Sequence, residues 1–151
     1  MCIRDRWKGD LLFALGSDVV KDSAKASLQA FANIAKSSAA AKFDVIVVGH
    51  TDNIRIARED TKKLHPTNWH LSAHRSIAVN SLLIQYGVPA GKTGVMGYGE
   101  YRPIDSNSTE KGRQQNRRVE IYLVNREVLG VSSSNGVTWL KDGSLAFLRW
   151  K

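Results

Sequence analysis

Stripes of apolar residues at helical spacing alternate along this chain with apolar runs of strand length, and that order restricts it to a layered fold of helices on a sheet. Leu11, Leu12 and Phe13, stopped by Gly16 and Ser17, read as a first strand ending in a turn. A helix follows, capped by Asp22 or Ser23 and carrying Leu28, Phe31, Ala32 and Ala35 on one face. Residues 43–48 are mostly β-branched or apolar and end at Gly49, which predicts a covered strand. Ser72 is expected to cap a second helix bearing Ala78, Val79, Leu82, Leu83 and Tyr86, ended by Gly87 and Pro89. A third strand is expected near 93–96, a short helical turn over 112–116, and a fourth strand over 118–124. There Val119, Ile121 and Leu123 alternate with Arg118, Glu120 and Tyr122, implying one buried face and one wet face. The fold class is therefore an α/β (α+β) sandwich with helices on one face of a mixed four-stranded sheet.

The 151 residues suffice for one core, which the periodic pattern assigns to residues 10–124. Residues 1–9 are expected to be a truncated or non-native start, because residues 1–6 join no periodic element and lack a signal peptide's apolar core. Beyond residue 124 the composition changes: a serine run precedes apolar segments at 137–140 and 145–150, a candidate hairpin with no function attached. One cysteine, Cys2, excludes an intrachain disulfide. No run approaches the roughly 18 apolar residues of a spanning helix. The net charge of +8 favours an anionic partner without choosing among nucleic acid, lipid and acidic cell-wall peptide.

Residues 50–69 form a polar, charged connection of roughly 20 residues, too long for an ordinary loop and so either functional or mobile. Asp52 follows the C-terminal end of a strand, where ligands gather in open α/β sheets. Arg75 precedes Ala78 and Val79 by three and four residues, so it shares the sheet-facing side of its helix at the rim. A carboxylate and a guanidinium placed this way suit a zwitterion: Asp52 accepts from an ammonium, and Arg75 grips a carboxylate through parallel N–H donors. Taken singly, an Asp after a strand also serves as a turn former and an Arg in a first helical turn as a solvated charge.

Three clusters occur in order: Gly49-His50-Thr51-Asp52-Asn53, then Asn68-Trp69-His70-Leu71-Ser72-Ala73-His74-Arg75, then Asn116-Arg117-Arg118-Val119-Glu120-Ile121. With Gly97-Tyr98-Gly99 and Pro103 they resemble the OmpA-like C-terminal peptidoglycan-binding domain family, over residues 10–124 and closest in style to its flagellar-stator (MotB-type) branch. The resemblance implies a non-catalytic module that binds the diaminopimelate of the peptidoglycan stem peptide at the periplasmic face of the envelope. Asp52 and Arg75 are then the binding pair, with Leu71, Asn68 and Thr51 as further ligand contacts. His50, Arg113, Asn116 and Arg117 are expected in support, His50 by bonding across the loop, Asn68 also by bracing it, and Arg113, Asn116 and Arg117 by tying the last strand to the cleft wall. The parent protein is expected to be membrane-associated through a segment outside this sequence, and two copies to pair as in stator-type relatives. No cofactor, metal or nucleic acid is expected.

Two other functions compete. His50, Asp52, His70 and His74 could form a metallohydrolase site, since His70 and His74 stand at i, i+4; yet a cap at Ser72 places His70 before the regular helix. Non-specific nucleic-acid binding is the other use of the positive charge, although no aromatic residues interleave with a basic stripe.

Overall fold

The computed structural model describes residues 2–126, with side chains from residue 5 onward. Four strands, β1 (Cys2–Lys8), β2 (Phe43–His50), β3 (Thr93–Gly97) and β4 (Arg118–Asn125), form one mixed sheet in the order β1-β4-β2-β3. β4 runs antiparallel to both neighbours, and β2 runs parallel to β3. Parallel neighbours require a crossover, and the long helix α4 (Asn68–Gln85) supplies it. α4 packs on β2 and β3, and α2 (Asp22–Ala35) packs beside α4. Three short α-helices, α1 (Gly9–Leu12), α3 (Glu59–Leu64) and α5 (Glu110–Asn116), and two 3-10 turns, Ser38–Ala40 and Ala90–Lys92, complete the described chain.

The core lies between helices and sheet. Leu28 and Ala32 of α2, Val79 and Leu83 of α4, Val45 and Val47 of β2, and Val119 and Ile121 of β4 meet there, with Leu12 and Phe13 closing one end. Two glycines let α4 approach the sheet closely beside the ends of β2 and β3. A Cβ on Gly49 would lie 2.1 Å from the Ser72 carbonyl oxygen, and one on Gly97 would lie 2.7 Å from the Ala73 nitrogen. Ser76, wholly buried, fastens the same contact: its hydroxyl lies 2.8 Å from the Met96 carbonyl oxygen of β3. No helix of the described residues is long and apolar enough to cross a membrane.

The sheet has four strands, but the first is not where local pattern put it. Residues 11–13 belong to α1 and the turn after it, where Phe13 makes an isolated bridge to Val20. The sheet's first strand is Cys2–Lys8, which the sequence reading left outside the fold; it pairs with β4 from Cys2↔Val124 to Lys8↔Arg118. Asp5 interrupts its apolar alternation, and its stabilising partner lies more than a hundred residues away, so no local signal marked it.

α4 starts four residues before the expected cap. Thr67, extended at φ −141° and ψ 168°, precedes the first turn, and Leu71 N–H donates to Thr67 O. Ser72 instead lies inside the helix, where its hydroxyl donates to Trp69 O at 2.9 Å and accepts from Gly99 N–H at 2.9 Å. Nor is Asp22 or Ser23 the cap of α2, since Lys21 holds that place without a side-chain bond. The long connection is not wholly irregular: α3 opens with Glu59 and Asp60 and closes with Lys62 and Lys63, an order that suits the helix dipole. The supposedly wet side of β4 is also covered. Arg118 and Glu120 are 4% and 2% exposed and pair with each other at 2.7 Å, an arrangement that alternation cannot distinguish from a solvated face.

Candidate functional site

Beyond the C-terminal end of β2, beside the start of α4, lies an open cavity of about 650 Å³. Thr51, Asp52, Asn68, Leu71, Arg75, Arg113 and Arg117 all line it; His50 and Asn116 do not. Asp52 stands two residues after His50, the last residue of β2, and turns the chain by accepting Ile54 N–H at Oδ1, 3.0 Å. Its Oδ2 receives Arg117 Nη1 at 2.6 Å. Thr51 is held by its N–H to Gly99 O and donates its hydroxyl to Asp52 O.

Arg117 is the hub of the acidic side of the cavity. Besides Asp52 it binds Asp10 through Nε and Nη2 at 3.2 Å and Glu110 through Nη2 at 2.8 Å. Burial alone would lower its pKa, but the hydrogen bonds it donates to Asp10, Glu110 and Asp52 outweigh that and hold it above its ordinary value.

Arg75 is different. Only 4% exposed, it donates Nε to Ser17 O at 2.9 Å and Nη2 to Ala14 O at 3.3 Å, and its guanidinium carbon stands 5.0 Å from the centre of the Phe13 ring. Among the described residues it has no ion-pair partner. Desolvation is the main reason its pKa is pushed down to about 10; the field of Arg117 adds to this, and Asp10, Asp52 and Asp18 oppose it. It therefore stays charged at neutral pH, while among the described residues its five N–H donors are answered by two backbone carbonyls.

Asn68 braces the long connection, with Nδ2 near Asp52 O, Ile54 O and, at 2.7 Å, Glu100 Oε2. Leu71 presents a buried apolar wall. Arg113 bonds Glu110 and Asn107 O at the rim. Asn116, fully buried, receives Ile104 and Asp105 N–H at its Oδ1 and donates to Asp105 O and Asn107, so it shapes residues 104–107 rather than the cavity. His50 makes no bond across the loop, because neither ring nitrogen has a hydrogen-bond partner among the described residues. It stacks on Tyr98, and burial first, then Arg118, lowers its pKa to about 4.

The residues of the alternative metallohydrolase site are not gathered. His50 lines a separate hollow on the opposite side of the sheet, His70 bonds Thr67 Oγ1, and His74 faces His65 at 2.8 Å. The reading also missed Asp10, Phe13, Ser17 and Glu110. Phe13 and Ser17 lie in the segment expected to be a strand and its turn, with Asp10 just before it, and only tertiary contact with Arg75 of α4 and Arg117 gives the three a role.

The OmpA family model matches residues 12–117, and the chain belongs to that family. Motility protein B of Bacillus subtilis is 40% identical over 84 residues, covering 55% of this chain and 31% of that protein. Outer membrane porin F of Pseudomonas aeruginosa is 34% identical over 112 residues, 74% of this chain and 29% of the porin. Probable lipoprotein YiaD of Escherichia coli is 34% identical over 137 residues, 80% of this chain and 59% of the lipoprotein. The chain thus spans less than two thirds of each of these relatives. Among solved structures, the cell wall anchor of the T6SS from Pseudomonas aeruginosa superposes with a TM-score of 0.72 at 33% identity, covering 83% of this chain and 82% of that one. The periplasmic domain of Helicobacter pylori MotB gives 0.69 at 26% identity, covering 82% and 76%.

Proposed function

We propose that this domain binds peptidoglycan without hydrolysing it, and so fastens a larger envelope protein to the cell wall from the periplasmic side. The observation that carries this reading is Arg75: a buried guanidinium at a cavity, held by two backbone carbonyls and, among the described residues, paired with no carboxylate. A ligand carboxylate would complete its bonding, and desolvation makes such a pair strong. Asp52 stands on the same cavity with two of its roughly four lone-pair directions in use, which leaves room for an ammonium. Leu71 and Phe13 supply apolar wall for an aliphatic stem. The ligand of this shape is diaminopimelate in the stem peptide, whose side chain ends in both groups. The family membership and the likeness to a cell wall anchor support the same reading.

Co-sedimentation with purified sacculi tests it. Arg75→Lys keeps the charge but loses the paired donors, so affinity is expected to fall about 10- to 100-fold for a lost charge-assisted bond of roughly 1.5–3 kcal/mol. Sacculi with lysine at the third stem position lack the side-chain carboxylate and are expected to bind weakly and to be insensitive to Arg75→Lys. Equal binding of both wall types by both proteins, or release of soluble muropeptides, refutes the proposal.

A further inference from the structure

Outside the cavity, three side chains from separate parts of the chain converge: Asp18, from the connection between α1 and α2; His65, where α3 ends; and His74, in the second turn of α4. One ligating atom from each lies within 4.8 Å of the other two, and this is the one such group of three among the described residues. This cluster differs from the His50, Asp52, His70 and His74 set that spacing suggests, sharing with it only His74. We propose that Asp18, His65 and His74 form a binding site for a divalent transition ion of the zinc type, which clasps the long connection of residues 51–67 to α4.

The donor set suits that ion. Two imidazoles and one carboxylate are the nitrogen and oxygen ligands zinc accepts at about 2.0–2.2 Å, and three protein ligands leave a fourth position for water. His65 Nδ1 faces His74 Nδ1 at 2.8 Å, whereas Asp18 Oδ1 stands 3.7 Å from the other ring nitrogen, Nε2, so for one ion to hold all three, the His65 ring or the Asp18 side chain must turn within the 4.8 Å that separates the three ligating atoms. Two like nitrogens in contact share a hydrogen bond only when one carries a proton and the other does not, whereas a cation between them accepts a lone pair from each neutral ring. Tetrahedral ligands around zinc stand about 3.3 Å apart by geometry, so the imidazole nitrogens need to open by roughly half an ångström. The approach is open on one side: His65 is 2% exposed, but Asp18 and His74 are only half-buried.

The position gives the site a structural consequence. Asp18 follows Ser17, whose carbonyl accepts Arg75 Nε, and His74 precedes Arg75 itself. An ion held by both therefore fixes the backbone on each side of that bond, and through His65 it anchors an otherwise weakly packed connection whose helix α3 buries no residue.

The test is a zinc titration of the full chain carrying Cys2→Ser, which removes the thiol as a competing ligand, read by competition with a chromophoric chelator. One equivalent is expected to bind with a dissociation constant in the micromolar range or tighter, and to raise Tm. Asp18→Asn, a half-exposed and near-isosteric change, is expected to weaken binding at least 10-fold; His74→Ala and His65→Gln are expected to abolish it, with circular dichroism confirming the fold. His70→Ala is the control, since His70 stands one turn before His74 and supplies the alternative i, i+4 pair. Binding unaffected by that change supports the assignment. No stoichiometric uptake, or uptake lost in His70→Ala but kept in His65→Gln and Asp18→Asn, overturns it.

Discussion

Replacing Asp52 and replacing Arg117 remove the same 2.6 Å ion pair, yet the two changes are expected to differ in cost, because the two charges are not equally provided for. Both side chains are shielded, at 9% and 11% exposure. When Asp52→Asn removes the acid, Arg117 keeps Asp10 and Glu110, so no buried charge is stranded and the expected loss is about 1 kcal/mol for one charged hydrogen bond. When Arg117→Met removes the base, Asp52 keeps only Ile54 N–H, and its second oxygen is left buried without a cation in contact. An uncompensated buried charge costs about 3–5 kcal/mol, and the open cavity places this case at the lower end, about 3 kcal/mol. In the double variant no charge is stranded, so the expected loss is about 2 kcal/mol, a coupling of about 2 kcal/mol against the sum of the singles. Urea denaturation of the four proteins at pH 7 measures all three values. Equal losses in the two single variants, or strict additivity in the double, would refute the hub assigned to Arg117.

Three further outcomes are expected. The pKa of His50 falls from 6.5 to about 4 on folding, through burial first, with Arg118, Arg102 and Arg6 reinforcing it and Glu120 opposing it. A depressed base binds fewer protons folded than unfolded, so stability is full above pH 6.5 and declines as pH falls towards 4, by about 3 kcal/mol; a His50 ring resonance titrating near pH 6.5 in the folded protein would contradict this. Gly49→Ala places a Cβ 2.1 Å from Ser72 O and must lift α4 from the sheet, so a loss of about 3 kcal/mol is expected in denaturant melts, and a neutral effect would show that the contact gives way. Amide exchange over residues 53–67 is expected to be faster than over Val45, Val47 and Val48, because α3 buries no residue while the strand is sealed on the core; equal protection would count against it.

Much of this domain was legible without coordinates. The two long helices, the strand before Gly49 and the alternating last strand follow from periodicity, since a residue's burial there depends on neighbours three, four or two positions away. The same pattern places Asp52 after the end of a strand and Arg75 at the start of a helix, and both line one cavity. The tertiary structure alone decided what sequence separation concealed. Cys2–Lys8 becomes a strand only because β4 offers an edge to pair with, and Arg117 becomes Asp52's partner only because β4 brings it across 65 residues of chain. Arg118 and Glu120 are buried though they alternate like surface residues, since a pair that satisfies its own charge can lie on a covered face. Likewise Arg75 reads from the sequence as a rim charge, and only the fold shows that it is enclosed and answered by Ser17 and Ala14 carbonyls. Local spacing determines which side of an element a group occupies; whether that side meets water, an opposite charge or an empty cavity depends on chain brought from elsewhere.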